Sequence, residues 1–251
     1  MSLVILWCTS RLFLLYYWNT SDASAQKIAD SSSDFLPENY TISNYSRPRF
    51  SKSGNRLIFA VAPPPVLQDT SLLDDEIVNV EVWNYKDDRL YTMNENTLKM
   101  DKERDYRTVY SISEKKFMVL ERDLFEGVSF DEDYESRYGI ALHTSSYELP
   151  RMWLAYGRFD GYRIDLQTGE EKKFTTGTRG RLMRSPNGKF CMWYDAGTGS
   201  HWAYDIENDK VNQITSKTVG IFGDELNDRP MDPSSYGYEG FTDDDQYVLL
   251  Y

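Results

Sequence analysis

The chain contains two histidines, His143 and His201, and Ser200 directly precedes the second. A serine nucleophile needs a histidine base within hydrogen-bond reach and an acidic group behind that base. Ser200 and His201 do not meet that need within a strand, because successive side chains point to opposite faces. Both histidines are therefore expected as surface or internally bonded side chains. FEGVSFDEDYE (125–135) gathers acidic residues and is expected as a solvated loop. Asp243-Asp244-Asp245 gathers carboxylates but lacks the alternating ligands and closing Glu of a calcium loop, so it reads as a turn. Gly177-Thr178-Arg179-Gly180 and Gly197-Thr198-Gly199 do not have the form of a phosphate cradle and are expected as loops. Cys8 and Cys191 make neither a disulfide framework nor a zinc spacing. Trp83, Trp153 and Trp193 are expected in a core rather than as ligand platforms. No residue is assigned as catalytic, cofactor-binding or metal-binding, and no cofactor is expected.

Composition narrows the classes further. The formal net charge is -12, and a sheath of that sign repels phosphate backbones, which argues against nucleic-acid binding. It would favour substrates with cationic groups. Aromatic content is 15%, with 19 Tyr and 6 Trp, a composition that suits strands. No segment is apolar over the length of about 20 residues that a membrane-spanning helix needs.

The elements that must position these residues appear as repeats. A polar turn followed by a strand-like run occurs as FSKSGNRLIFAV (50–61), SISEKKFMVLE (111–121), RSPNGKFCMWY (184–194) and FTDDDQYVLLY (241–251). Aligned on Ser51, Ser113, Ser185 and Thr242, these units are 62, 72 and 57 residues apart. Ser, Pro, Asn, Gly and Asp supply the turn, and the apolar, aromatic run supplies the next strand. A second pattern is a hairpin: GYRIDLQTGEEKKF (161–174) and WAYDIENDKVNQI (202–214), with VWNYKDDRLYTM (82–93) as a shorter relative. Ile164-Asp165 precedes Phe174 as Tyr204-Asp205 precedes Ile214, and QTGE and ENDK are hairpin turns.

The opening MSLVILWCTSRLFLLYYWNTSDASAQKI superficially outlines an export signal, with an apolar run and Ala23-Ser24-Ala25 as a cleavage-like site. It has no basic residue before the first apolar run, and Arg11 splits the apolar stretch. Trp18-Asn19 also precedes Ile28 with the hairpin spacing of Asp165 and Asp205, without a gap. The stretch is read as a further hairpin with its first strand at 12–18.

Units of about 60 residues, each with an inner strand, a Ser-x-x-Gly-like turn and an outer hairpin, predict an all-β fold. The specific expectation is a partial β-propeller of about four blades, each a four-stranded antiparallel sheet. The blade units read as 12–61, 78–121, 147–194 and 200–251, with 1–11 an uncertain start, so both ends fall within a repeat. Residues 94–104 are the best helical or irregular candidate and 66–76 an expected loop excursion. Pro63, Pro64 and Pro65 cannot donate to a ladder and end a strand.

PRFSKSGNRLIFAVAPPPVLQDTSLLDDEIVNVEVWNYKDDRLYTM (48–93) resembles the propeller of bacterial prolyl oligopeptidase family serine peptidases of dipeptidyl-peptidase or acylaminoacyl-peptidase type. The Pro cluster, DT-x-LLDDE and VWNYKDD are its discriminating parts. YELPRMWLAYGRFDGYRIDLQTGEEKKF (147–174) and DPSSYGYEGFTDDDQYVLLY (232–251) resemble later blades. The resemblance implies a propeller that caps an α/β-hydrolase domain and admits only small peptides. It implies that hydrolase domain and the parent's peptide substrates as partners, and a periplasmic or exported location. The chain has no G-x-S-x-G, so no nucleophile elbow and no triad residue carries over. The expected function is a non-catalytic, substrate-gating propeller segment. A stand-alone propeller-like scaffold for a protein partner is the alternative, and a propeller glycosidase, which needs two positioned carboxylates, is a third.

Overall fold

The computed structural model describes residues 2–9, 12–65, 76, 80–120, 125, 127–154, 156–216 and 218–251. The expected excursion at 66–76 lies outside the described residues except for Glu76. So does much of the DT-x-LLDDE stretch. The chain divides into two compact units, 1–49 with 58–108, and 50–57 with 109–251.

In the first unit, β1 (Ser2–Thr9) pairs antiparallel along the whole of β2 (Leu12–Asn19). β2 also pairs with β3 (Gln26–Ala29) and with β4 (Thr41–Ile42). The expected opening hairpin is therefore present as β2 and β3, and β2 is an inner strand with neighbours on both sides. Asn19 closes its turn as the hairpin alignment requires, accepting the Ser21 N–H on Oδ1 at 3.3 Å. β5 (Arg49–Phe50) and β4 lie on β6 (Arg56–Ala62), whose last six residues are all buried. Pro63 to Pro65 then end the ladder.

VWNYKDDRLYTM (82–93) is not a hairpin. Residues 80–90 hold no strand, and Tyr91 begins α1 (Tyr91–Lys102). Asn84 turns the chain instead, its Oδ1 taking the Lys86 N–H at 3.1 Å. Trp83 and Tyr85 project outward at 64% and 90% exposure, so no core is available to fix a strand register. The helix covers most of the expected 94–104 span and buries no residue. Local bonds sustain it: Thr97 donates to Asp101 at 2.9 Å, Arg89 pairs with Asp101 at 3.1 Å, and Lys99 and Lys102 oppose the negative end of the helix dipole.

The second unit contains two successive four-stranded antiparallel meanders. After β7 (Tyr106–Ser111) and β8 (Lys116–Val119) come β9 (Gly127–Ser129), β10 (Tyr138–His143), β11 (Arg158–Asp165) and β12 (Glu171–Arg179), ordered β12-β11-β10-β9. Between β10 and β11 lie one turn of 3-10 helix (Ser145–Tyr147) and a single turn, α2 (Glu148–Arg151). The next sheet is β13 (Met183–Arg184), β14 (Phe190–Asp195), β15 (Ser200–Asp205) and β16 (Lys210–Gln213), in that order. A last pair, β17 (Tyr238–Phe241) and β18 (Val248–Leu250), closes the chain. The protein is mostly β-sheet with two short helices, and its fold is a partial all-β propeller.

The strands of unit 12–61 share one sheet, but the two later units straddle sheets. Units 147–194 and 200–251 each take the last two strands of one sheet and the first two of the next. The reason is local. In these two units the Ser185 turn joins β13 to β14 and the Thr242 turn joins β17 to β18, while the hairpins join β11 to β12 and β15 to β16, so a period counted from the hairpin starts midway through a sheet.

Packing explains the strand sequences. In the middle strands β10 and β14, Ile140, Ala141, Cys191, Met192 and Trp193 are buried in unbroken runs, as a sheet covered on both faces requires. The outer strand β16 is exposed throughout. Ile140, Cys191, Trp193, Tyr204 and Ile206 form one core between the two meanders, with Phe174 stacked on Tyr204 at 4.2 Å. Of the three tryptophans expected in a core, only Trp193 is there; Trp153 is 76% exposed.

Candidate functional site

The repeated turns have one geometry at three of their four anchors. Ser51, Ser185 and Thr242 each receive, on the side-chain oxygen, the N–H five residues ahead, at 3.2, 3.0 and 3.1 Å. In each turn the residue three positions on has positive φ: Gly54 at 77°, Gly188 at 71° and Asp245 at 60°. Only glycine, or Asn and Asp, takes that conformation at low cost. Ser113 departs from the set. Its hydroxyl meets Ser111 at 3.4 Å, and the positive φ falls two residues on, at Lys115.

The Ser51 and Ser185 turns are knotted to carboxylates further along the chain. Asp245, buried, accepts the Ser185 hydroxyl at 2.8 Å and the Asn187 and Lys189 N–H groups at 3.1 and 3.3 Å. Glu135 accepts the Ser53 N–H at 2.6 Å, and Asp133 pairs with Lys52 at 2.8 Å. Burial works to raise the Glu135 pKa, but bonds from Ser53 and Ser51 outweigh it and hold it below the usual carboxylate range. Asp131, also buried, caps its own loop through the Glu135 and Ser136 N–H groups at 2.9 and 3.0 Å. Asp133 and Glu135 thus clasp the Ser51 turn while remaining exposed, as residues of a solvated loop, and only Asp131 among the described acids of the stretch is buried. Asp243 to Asp245 form the expected turn, and among the described residues no acidic, His or Cys group has the arrangement of a metal site.

Ser200 and His201 do not form a nucleophile–base pair. Ser200 and His201 lie on opposite sides of β15, as alternation requires: the Ser200 hydroxyl takes the Gln213 amide N–H at 3.1 Å. The His201 ring bonds Thr215 Oγ1 at 3.3 Å and Ser235 Oγ at 3.2 Å and packs beside Tyr194 and Phe222. Burial lowers its pKa and keeps the ring neutral. His143 meets Ser146 at 2.7 Å and Ser145 at 3.3 Å.

His201 also lines a cavity of about 220 Å³ with Trp193, Tyr194, Ser235 and Tyr238. The Tyr194 hydroxyl is buried there without a hydrogen-bond partner among the described residues, and burial raises its pKa.

Sharing the Arg179 wall with this cavity is a larger cleft of about 620 Å³. Arg151, Arg158, Arg179, Arg181 and Arg229 line it, and among the described residues no acidic one does. The elements explain the clustering. β11 contributes Arg158 from its first position and β12 Arg179 from its last, and these two are paired in register. The expected loop 177–180 is in fact largely the end of β12, with Gly177 at φ 61°. Arg179 stacks over the Tyr156 ring at 4.1 Å, with Arg158 at 5.5 Å from the same ring. Arg179 also donates to the Asp232 carbonyl at 2.9 Å. Asp160, in β11, is engaged elsewhere: it accepts Tyr147 Oη at 2.6 Å and the Gly177 N–H at 2.9 Å and pairs with Lys173 at 2.7 Å. Sequence reading missed this cleft, since its arginines are scattered over 79 positions (151 to 229) and only the fold collects them.

No protein-family model matches the chain, and no curated protein matches it. Solved structures do. The crystal structure of Porphyromonas gingivalis dipeptidyl peptidase 4 is similar with a TM-score of 0.43 and 10% identity, over 85% of this chain and 31% of that one. The β-propeller domain of the Trilobed protease from Pyrococcus furiosus gives a TM-score of 0.35 and 9% identity, over 86% and 53%. TolB from Acinetobacter baumannii gives 0.33 and 12%, over 86% and 42%. The chain spans about a third to a half of the length of these structures. At such TM-scores and identities the likenesses assign neither activity nor partner. No helix among the described residues is long and apolar enough to cross a membrane.

Proposed function

We propose that this chain is a non-catalytic propeller segment of a prolyl oligopeptidase-like serine peptidase. Its role in the parent is to restrict passage to small peptides and to dock an α/β-hydrolase domain, and the parent is exported. The observation that carries the reading is the Ser51 turn. It lies inside the stretch resembling that family (48–93) and shares its closing bond with the Ser185 and Thr242 turns, which supports serial blades of one kind. The test is to sequence the DNA on both sides of this reading frame. Blade-like codons upstream and a G-x-S-x-G with later Asp and His downstream are the expected result. Stop codons and a promoter closely bounding the frame, or serine-reagent-sensitive peptidase turnover by the purified chain, would overturn it.

A second reading, a stand-alone binding scaffold, is favoured by one observation, the cleft lined by five arginines. A scaffold purifies as a cooperative, closed species, whereas a segment exposes apolar faces that bind dye.

A further inference from the structure

The charge of the large cleft is opposite to that of the chain that builds it. The protein carries a net charge of -12, yet among the described residues five arginines and no carboxylate line this cleft. Like charges gathered in this way repel one another, a cost that an anionic ligand would remove. Three of the five have protein partners: Arg158 donates to Gly177 O and Tyr156 Oη at 3.4 Å each, Arg179 to Asp232 O, and Arg151 stands 3.7 Å from Glu148. Arg181 and Arg229 are exposed and have no ion pair among the described residues. The guanidinium fork suits planar two-oxygen anions, and its weak hydration favours sites partly closed by apolar walls.

We infer that this cleft binds an acidic peptide segment, presenting two or three Asp or Glu side chains to the arginines. The class follows from the walls as well as the charge. Tyr156, Phe159, Leu182 and Met231 line the cleft together with the arginines and suit the methylenes and backbone of a peptide. A volume of about 620 Å³ falls within the usual range for small-ligand sites, about 300–1,000 Å³, and bounds the occupant to a few residues. A nucleic acid would carry its phosphates past the cleft into the field of a chain with an excess of 12 negative charges. The inference goes beyond gating and reverses the preference for cationic substrates expected from net charge alone. It holds whether the chain belongs to a peptidase or stands as a scaffold.

The experiment is isothermal titration of the full chain with blocked Glu-Asp-Glu, Gln-Asn-Gln and Lys-Arg-Lys tripeptides, inorganic phosphate and a short oligothymidylate. The acidic peptide is expected to bind alone or tightest, to weaken as salt rises, and to raise the melting temperature. R181Q/R229Q should weaken it by roughly tenfold or more, as expected for lost charge-assisted bonds. Both residues are exposed, so the double variant should melt as the parent does, and Lys210→Gln on the exposed outer strand should bind as the parent does. Absence of acidic-peptide binding overturns the inference. So does equal binding by the double variant, or tighter binding of phosphate or the oligonucleotide. None of these outcomes bears on the flanking-DNA test above.

Discussion

The Asp245 carboxylate receives the Ser185 hydroxyl at 2.8 Å across 60 residues of sequence. One carboxylate thereby orders a turn that begins the sheet before its own, and two backbone N–H groups of that turn, from Asn187 and Lys189, complete the contact. A buried charge of this kind is tolerable only because its acceptor sites are filled.

Asp245→Asn keeps the side-chain shape and the tolerance for positive φ but removes the charge and one acceptor. Hydrogen bonds to charged groups contribute about 1.5–3 kcal/mol each, less once a neutral bond replaces them. A loss of about 1–3 kcal/mol in urea unfolding is the expected outcome. Asp245→Ala should lose more, since alanine at φ 60° adds strain. An Asp245→Asn variant as stable as the parent would show that the clasp contributes nothing.

Much of this was legible in the sequence, for identifiable reasons. Hairpins announce themselves when both strands and the turn lie within a dozen residues, as at Asp165 to Phe174 and Asp205 to Ile214. The turn motif around Ser185 was equally local. What stayed hidden was set by partners distant in sequence. Asp133 and Glu135 read only as solvated acids, and nothing local says that they also bond the Ser51 turn about 80 residues earlier. Trp83 and Trp153 read as core because tryptophan usually is, yet exposure is decided by whether another surface covers them. The arginine cleft has no local signature at all. It exists because the β11 and β12 register pairs Arg158 with Arg179 and the later loop brings Arg229 beside them.

Gly161 sits where the β11 and β12 register shifts, and a Cβ there would lie 2.6 Å from the Phe174 ring. That ring cannot yield freely, because it stacks on Tyr204 at 4.2 Å and tilts against Trp193 at 5.9 Å. Gly161→Ala is therefore expected to destabilise by about 1–3 kcal/mol through overpacking, despite its lower chain entropy when unfolded. Near-ultraviolet circular dichroism should change with it, reporting displaced aromatic rings. Unchanged stability and spectrum would mean that the core relaxes around the methyl group.

His201 gives the fold a dependence on mild acid. Burial holds its folded pKa below the ordinary histidine value, while the unfolded chain titrates at about 6.5. The unfolded state thus binds the proton more readily. The stability associated with the neutral ring is complete above the unfolded value and is lost progressively as pH falls toward and through the folded one. Melting temperature should fall between pH 7.5 and 5 in the parent. The fall should be shallower in His201→Gln, which does not titrate. Parallel slopes in the two proteins would exclude this histidine as the cause.

Cys191 should be chemically silent in the folded protein. Its side chain is fully buried in the core with Trp193 and Tyr204, and burial pushes its thiol pKa up to about 12, against a smaller downward pull from Arg184. The thiolate is the reactive form, and at pH 8 a thiol of that pKa is ionised to roughly one part in ten thousand. Access and ionisation therefore act together. Iodoacetamide labelling of the native chain, mapped by mass spectrometry to the peptide holding Cys191, should proceed only as fast as the core opens, and should become rapid in denaturing urea. Because labelling is read at this one peptide, Cys8 does not confuse it. Native labelling at the denatured rate would place Cys191 at an accessible surface and would contradict the packing between the two meanders.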